Sequence, residues 1–186
     1  PHPRWGPMPG LLSKANDATK WVVSGVAFAV LVWRHDAQVC WSLLGAIAAA
    51  FNCKALKVVI NQARPEGARK ADPGMPSSHA QSLGFLSGYA ACGLLTLGWP
   101  APWPAAAAGS TLACGAFLSW LRVELGFHTT PQVLVGHSLG ALSAAAWWRL
   151  GQGWALQAIG QGPGLAALYG STAAAVCTFA VQHVWR

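Results

Sequence analysis

The chain has 186 residues, of which 54% are hydrophobic and only 9% are charged. Soluble domains are near a quarter charged, so this composition indicates a protein whose core lies in a bilayer. The formal net charge of +7 would by itself be compatible with nucleic-acid binding. However, the basic residues are scattered between apolar stretches and form no basic helix, which argues against nucleic acid as a partner.

The five cysteines are widely spaced and form no CxxC pair, which argues against a zinc site and a disulfide framework. We expect small buried apolar side chains at these positions. The chain begins at Pro1 rather than Met and has no acidic residue before Asp17. This start is typical of a fragment or a processed chain, and the basic segment fits the remains of a transit peptide or an amphipathic arm.

Six apolar stretches are long enough, or nearly so, to cross a membrane as helices. They lie at 19–34, 37–55, 79–98, 104–121, 132–149 and 165–184. Prolines at 99–104 and glycines at 151–164 are expected to separate neighbouring stretches. We therefore predict an all-α membrane protein with about six transmembrane helices, in which an N-terminal arm (1–18) precedes the membrane domain (19–186).

Tryptophan supports this arrangement, because most of the eleven lie at the edges of the stretches. Such a distribution predicts the aromatic belt found at membrane interfaces. The belt residues are expected to be Trp21, Trp33, Trp99, Trp103, Trp120, Trp147, Trp148, Trp154 and Trp185.

Six spans would place both termini and the loops 56–78 and 122–131 on one membrane face. All Lys and Arg residues except Arg34 and Arg149 fall on that face. The excess of Lys and Arg on this face persists when Lys57, Arg64 and Arg122, which are candidate phosphate ligands, are left out of the count. The positive-inside rule then predicts that this face lies toward cytosol or stroma.

The first polar motif is KVVINQARP, in which Lys57 and Arg64 are seven residues apart. If the second helix continued through both, they would share a face, and Pro65 would end the helix. Taken alone, such a pair is better interpreted as interfacial cations that reach toward water.

The second motif is DPGMPSSH, which leads into the third apolar stretch. Ser77 or Ser78 is expected to cap the helix, and the exposed N–H groups of a helix start can bind phosphate. His79 would lie in the first turn, where it can donate a proton. Alone, the motif describes a capped helix with a nearby histidine.

The third motif is RVELGFH. Arg122 is expected to close the fourth span and offers a bidentate fork for phosphate oxygens. His128 would lie in the following loop, with Thr130 as the N-cap and Pro131 as the first residue of the fifth helix.

Read together, the three motifs resemble the pattern K-x6-RP, PSGH and SR-x5-H-x3-D of the type 2 phosphatidic acid phosphatase (PAP2) superfamily. The resemblance covers about residues 57 to 132. It departs at PSSH, at Leu121 in place of serine and at Gln132 in place of aspartate. The strings DPGMPSSHAQS and HTTPQV are similar to those of plant plastid lipid phosphate phosphatases (epsilon and gamma type) and of dolichyl-diphosphate phosphatases, which also carry Gln here.

The resemblance implies a membrane-embedded lipid phosphate phosphatase, with no cofactor, that converts phosphatidic acid to diacylglycerol. It implies that His128 attacks phosphorus and forms a phosphohistidine, while His79 serves first as acid and then as base. The substrate phosphate is expected to lie against side chains or backbone of Lys57, Arg64, Ser77, Ser78 and Arg122.

Gln132 is expected to accept the ring N–H of His128 in place of the family aspartate. It carries no charge, and its amide can rotate, so the tautomer would be held less firmly. An aspartate at this position is expected to be tolerated or beneficial if the shorter side chain reaches. Glu124 is a second candidate acid. No metal is implied, because the chain has five acidic residues in total and no cluster to hold two divalent ions.

Other interpretations remain open at this stage. The substrate could instead be an isoprenoid (dolichyl-type) diphosphate, and a non-catalytic lipid-phosphate binder or transporter would need the cations but not both histidines. The resemblance implies an integral membrane protein of the plastid, with the endoplasmic reticulum as the alternative, and with membrane lipids as its other partners.

The string Gly136-His137-Ser138-Leu139-Gly140 fits the G-x-S-x-G nucleophile elbow of serine hydrolases. That motif requires a strand-to-helix turn and an acid later in the chain, and there is no Asp or Glu after Glu124. We therefore expect these small residues to serve helix packing.

Overall fold

The computed structural model describes residues 9–66, 68, 72–159 and 162–184. All regular structure in these residues is helical, and no strand occurs among them. The elements in chain order are α1 (Pro9–Arg34), α2 (Ala37–Ile60), α3 (Ser78–Leu95), α4 (Trp103–Glu124), α5 (Thr130–Leu150), a π-helical turn (Gly151–Ala155), α6 (Leu156–Ile159) and α7 (Pro163–Val184). The predicted all-α fold class is confirmed.

Each of the six apolar stretches coincides with a long helix. Three helical segments are long and apolar enough to cross a membrane by length and composition, namely Ala37–Ile60, Trp103–Glu124 and Pro163–Val181. A shorter apolar segment, Trp21–Arg34, forms the second half of α1. The bundle is compatible with six spans, and three of the described helices meet the criterion on their own.

The structure adds detail at two boundaries of the predicted spans. Helix α1 begins at Pro9, so 9–18 of the expected arm continue the first apolar helix, while 1–8 lie outside the described residues. The expected break at 151–164 is helical as far as Ile159. A Cβ at Gly151 would lie 2.6 Å from the indole nitrogen of Trp41. This glycine therefore serves close packing and does not end the helix.

Helices α3 and α5 approach so closely that backbone touches backbone at glycines. A Cβ at Gly136 would lie 2.6 Å from the carbonyl oxygen of Ser77, and a Cβ at Gly140 would collide with that of Gln81. The small residues of the G-x-S-x-G string therefore serve helix packing, as predicted. Ser138, between them, is exposed on the outer face of α5.

Two tryptophans join α2 to α5 inside the bundle. The rings of Trp41 and Trp147 stack with centroids 4.5 Å apart. Each indole N–H donates to the other residue's carbonyl oxygen, at 3.1 Å from Trp41 and 2.8 Å from Trp147. Beside them, Trp148 packs edge-on against Tyr89 at 5.1 Å.

The aromatic belt was therefore predicted wrongly at Trp147 and Trp148, which contribute to the core. The Trp147 indole N–H has its acceptor within the bundle, and the Trp148 ring packs against Tyr89. Trp185 lies outside the described residues. The other six expected belt residues are exposed, and they are Trp21, Trp33, Trp99, Trp103, Trp120 and Trp154.

The cysteines follow the prediction only in part. Cys40 and Cys53 are buried, whereas Cys92 is half-buried and Cys114 and Cys177 are exposed. Both exposed cysteines lie on long apolar helices. Their outward positions suit a small apolar side chain that faces lipid rather than a protein core.

Candidate active site

Helix α2 ends one turn after Lys57, earlier than the sequence suggested. Asn61 adopts the left-handed conformation, with φ of 45°, and its N–H bonds the carbonyl oxygen of Lys57. Asparagine tolerates this conformation better than most residues, and it commonly ends helices. Arg64 and Pro65 therefore lie in the loop, so the expected shared helix face and the helix stop at Pro65 were wrong.

A carboxylate brings Lys57 and Arg64 together instead. Asp72 accepts a hydrogen bond from Lys57 Nζ at 2.9 Å. It also accepts from Arg64 Nη2 at both oxygens, at 2.9 and 3.0 Å, while Arg64 Nε donates to its backbone oxygen. Burial would raise the pKa of Asp72, but the hydrogen bonds and charges of Lys57 and Arg64 outweigh it and lower the pKa to about 2.

Arg64 also reaches the candidate nucleophile. Its Nη1 donates to the carbonyl oxygen of Phe127 at 3.0 Å and lies 2.9 Å from His128 Nε2. Arginine can only donate, so Nε2 must be the lone-pair nitrogen of the imidazole. The proton then resides on Nδ1, which lies 3.2 Å from Gln132 Oε1. The two neighbours together select the tautomer whose Nε2 can attack.

The environment also keeps the imidazole of His128 neutral. Its side chain is buried, and burial followed by the charge of Arg64 lowers its pKa to about 4 from an ordinary value of 6.5. The bond to Gln132 acts in the opposite direction, with a smaller effect. At neutral pH the ring therefore carries the lone pair that a nucleophile requires.

The Gln132 amide is held by four contacts, so the expectation of a rotating amide was wrong. Its Oε1 accepts from the N–H of Thr129 at 3.2 Å as well as from His128. Its Nε2 donates to Gln62 Oε1 at 3.0 Å and to the carbonyl oxygen of Ala63 at 2.8 Å. Exchanging the two ends of the amide would break all four contacts. The predicted contact between Gln132 and His128 is confirmed.

Gln132 has a second role at the start of α5. The N-cap is Thr129, which forms a capping box with Gln132 three residues later. The prediction of Thr130 as N-cap was off by one residue, because the T-x-x-Q spacing of the capping box was overlooked. This box fixes Gln132 relative to the backbone beside His128.

Two residues that surround the Gln132 amide, Gln62 and Gly74, were not predicted from the sequence. The N–H of Gly74 donates to the carbonyl oxygen of Gln62 at 2.7 Å. A Cβ at Gly74 would lie 2.6 Å from Gln132 Nε2. Gly74 therefore makes room for the amide, and Gln62 accepts one of its protons. A glycine inside a phosphate motif was the available signal for such a close approach.

The first residues of α3 also contact Gln132. Of the two expected caps, Ser77 takes the role, with its Oγ 3.5 Å from the N–H of Ala80. The N–H of Ser77 donates to the Gln132 carbonyl oxygen at 3.0 Å. Ser78 is exposed and lies 3.4 Å from Cys53 Sγ. His79 follows in the first turn, before the first intrahelical bond at Gln81.

Arg122 lies in the last turn of α4, as predicted. Its carbonyl oxygen accepts the N–H groups of Phe127 at 3.0 Å and of His128 at 3.2 Å. Its guanidinium lies 4.0 Å from the centre of the Phe127 ring. The end of α4 therefore positions the loop that carries His128. Glu124 was the second candidate partner for Nδ1 of His128, and the contact is made by Gln132 instead.

The described residues contain no group of three or more His, Cys, Asp or Glu side chains that could hold a metal ion. Within that part of the chain, the groups that converge on His128 are cations and amides. Such a set is suited to anionic oxygens rather than to a metal.

Comparisons with known proteins find two curated relatives and one solved structure. No family model matches the sequence. The chloroplastic lipid phosphate phosphatases epsilon 2 and epsilon 1 of Arabidopsis thaliana are 36% and 35% identical to it over 139 and 141 residues. These matches cover 75% and 76% of this chain but 49% and 50% of the relatives, so the chain spans about half the length of the curated relatives it matches.

A crystal structure of a PAP2-type phosphatidylglycerolphosphate phosphatase from Bacillus subtilis has the same fold. Its TM-score is 0.63 over 81% of this chain and 80% of that chain, at 18% identity. The chain therefore has the fold of a PAP2-type phosphatase, and its sequence is similar to those of the two plant lipid phosphate phosphatases. At Leu121, where the PAP2 motif pattern has a serine, the side chain is 1% exposed and packs in the core.

Proposed function

We propose that the chain is a metal-independent lipid phosphate phosphatase that acts through a phosphohistidine. One observation carries this proposal. His128 is buried as a neutral imidazole with Nε2 as its lone-pair nitrogen, and two cations lie on a shared anion beside it. A nucleophile of this kind next to an anion site matches the needs of phosphoryl transfer.

In the first step, Nε2 of His128 attacks phosphorus while the bond to the lipid oxygen breaks. The leaving alkoxide takes a proton from His79 in the first turn of α3. Lys57, Arg64 and Arg122 donate to the equatorial oxygens, with the first N–H groups of α3 at Ser78 and His79. Ser77 has its N–H and Oγ engaged in bonds to α5 and within α3, and we assign it to holding that helix start.

In the second step, His79 removes a proton from water, which attacks phosphorus and releases inorganic phosphate. The bond from phosphorus to Nε2 breaks, and its electron pair returns to the imidazole. Throughout both steps the proton stays on Nδ1 of His128 and is hydrogen-bonded to the Gln132 side-chain oxygen. This hydrogen bond stabilises the charged ring. The amide supplies orientation without supplying a negative charge.

The proposed substrate is phosphatidic acid, with diacylglycerol as the product. Two chloroplastic relatives carry the name lipid phosphate phosphatase. An isoprenoid diphosphate is the second candidate, because the string DPGMPSSHAQS resembles both groups of enzymes. By the same argument we propose a plastid membrane as the location, with the site facing the stroma, since nearly all the basic residues fall on that side in a six-span arrangement.

The test uses the purified full chain in detergent micelles with excess EDTA. We expect phosphate release from phosphatidic acid, inhibition by vanadate, and an acid-labile phosphoenzyme that disappears in His128→Ala. The matched control is His137→Ala, since that histidine bonds Ser119 within the helix bundle. A higher kcat/KM for an isoprenoid diphosphate would establish the second candidate. Lipid phosphate binding without turnover would contradict the proposal and indicate a binding protein.

A further inference from the structure

Each nitrogen of the Arg64 guanidinium has an acceptor inside the protein. Nε donates to the Asp72 backbone oxygen, and Nη2 donates to both oxygens of its carboxylate. Nη1 donates to the Phe127 carbonyl oxygen and lies against the lone pair of His128 Nε2. All three nitrogens of the guanidinium are therefore engaged, and the two carboxylate oxygens share the direction of Nη2. A phosphate that takes the position of the carboxylate must displace it.

Among these acceptors, the Asp72 carboxylate faces the outside. Its side chain is 48% exposed, whereas those of Lys57 and Arg64 are 9% and 7% exposed. The carboxylate therefore covers both cations from the solvent side. An anion that arrives from the membrane surface meets Asp72 before it meets either cation.

We propose that Asp72 is a specificity-determining residue, a tethered carboxylate that occupies the phosphate position until a headgroup with two negative charges replaces it. This inference rests on the proposed function of the site. It assigns a selection by charge, in favour of terminal phosphate monoesters and against the singly charged phosphodiester lipids of a membrane.

The selection follows from comparing charges. Exchange of the carboxylate for a phosphodiester replaces one negative charge by another, and the cations gain nothing. Asp72 also has the advantage of being tethered, because its effective concentration at the site is far above that of a free competitor. A dianionic monoester brings a second charge and a third oxygen, which favours the exchange.

The same exchange would expose the nucleophile. In the resting arrangement Arg64 is held by Asp72 with Nη1 against His128 Nε2. When the phosphate takes over Arg64 Nη2 and Lys57 Nζ, the guanidinium can turn toward the phosphate oxygens and leave the lone pair of Nε2 facing phosphorus. After the reaction, the returning carboxylate would compete with inorganic phosphate and promote its release.

The test compares Asp72→Asn with the wild-type full chain in detergent micelles. Inorganic phosphate and dimethyl phosphate are the probes, and binding is measured by titration calorimetry without turnover. If Asp72 fills the site in nine or more of every ten molecules, its removal should tighten phosphate binding by at least about tenfold. The Kd of dimethyl phosphate should fall by the same factor, because one tethered competitor weakens the binding of both anions equally. The weaker ligand should then bind Asp72→Asn at concentrations at which the carboxylate excludes it from the wild type. KM should fall, in line with the tighter binding of phosphate.

Two controls separate this role from a general effect of charge. Glu66→Gln removes one negative charge from the same loop at an exposed residue, and Asp36→Asn removes another carboxylate that is paired with an arginine, Arg34. Neither should change phosphate affinity by more than about twofold, because exposed charges are screened by salt. An equal gain in Glu66→Gln, or unchanged affinity in Asp72→Asn, would overturn the proposal.

Stability gives an independent readout. Asp72→Asn and Asp72→Ala should unfold at lower temperature than the wild type, because two cations lose their counter-ion, and inorganic phosphate should restore most of the loss. If phosphate does not raise the unfolding temperature of these variants, Asp72 has only a structural role and the inference is refuted. The binding data stand even if no lipid phosphate is hydrolysed, so failure of the proposed function is distinguishable.

Discussion

Gln132→Glu exchanges one NH₂ group for an oxygen and so tests why an amide replaces the acid of the family pattern. The new carboxyl can still accept from His128 and Thr129. Its second oxygen would face Gln62 Oε1 and the Ala63 carbonyl oxygen, which accept from Nε2 in the wild type. Two acceptors would then oppose an anionic oxygen in a side chain that is 1% exposed.

The balance of energies favours the amide. Leaving a buried acceptor without a donor costs about 1–3 kcal/mol, so two such groups cost roughly 2–6 kcal/mol. A charged acceptor for the His128 N–H would return roughly 0.5–2 kcal/mol. Gln62 can turn its amide to donate, but the Ala63 carbonyl cannot, so one opposed acceptor remains. With about 2 kcal/mol lost there and about 1 kcal/mol returned, a net loss of about 1 kcal/mol is expected. The expectation for an aspartate at this position concerns a shorter side chain and stays a prediction.

The assay is thermal unfolding in detergent at pH 7, together with kcat on phosphatidic acid. For a chain of this size we expect the transition to fall by roughly 2–4 °C per kcal/mol, with kcat no higher than that of the wild type. Gln152→Glu is the matched control, since its Nε2 also donates to a glutamine oxygen, at an exposed position. A Gln132→Glu variant that is as stable as the wild type and faster would refute this reasoning.

Three further predictions follow from the site and the bundle. His79→Ala should slow both formation and hydrolysis of the phosphoenzyme, measured by rapid quench, and an effect on only one step would contradict its double role. His128 should remain the neutral Nδ1–H tautomer in ¹⁵N NMR spectra down to about pH 5, because its pKa is lowered to about 4. The free energy of unfolding should be highest above pH 6.5 and should fall as the pH is lowered toward 4, since the unfolded chain binds the proton first. A titration midpoint of His128 above pH 6 would contradict the assignment. Ser138→Ala should keep phosphatase activity within a few fold and stay unlabelled by serine-hydrolase probes, whereas Gly140→Leu should disrupt folding, since even a Cβ there would collide with Gln81.

The sequence was informative where a pattern depends on local chemistry. Apolar length predicted the long helices. The motifs contain Lys57, Arg64 and His128, which Asp72 and a direct contact bring together, while the catalytic roles of the histidines stay predictions. The contact between Gln132 and His128 followed from a spacing of four residues across a helix start. Such relationships are set by backbone geometry within a few residues, and a single chain displays them directly.

The sequence was less informative where partners are distant along the chain. Asp72 looked like part of a turn because its role depends on Lys57 and Arg64, fifteen and eight residues earlier. The end of α2 depended on one left-handed residue, Asn61, rather than on the more conspicuous Pro65. Trp147 looked interfacial because its position at a helix edge gave no sign of a partner 106 residues away.

The reciprocal bonds between Trp41 and Trp147 also bear on the order of assembly. Trp41 is synthesised 106 residues before Trp147. Helix α2 therefore lacks this contact while α3, α4 and most of α5 are synthesised. Until then its indole N–H has no carbonyl of α5 to bond, and it is free to pair with interfacial water or lipid headgroups. Closure of the α2–α5 contact is thus a late event, after which the indole leaves the interface for a dry site. Ribosome-bound chains that stop short of Trp147 should keep the Trp41 side chain accessible to aqueous quenchers, and longer chains should protect it.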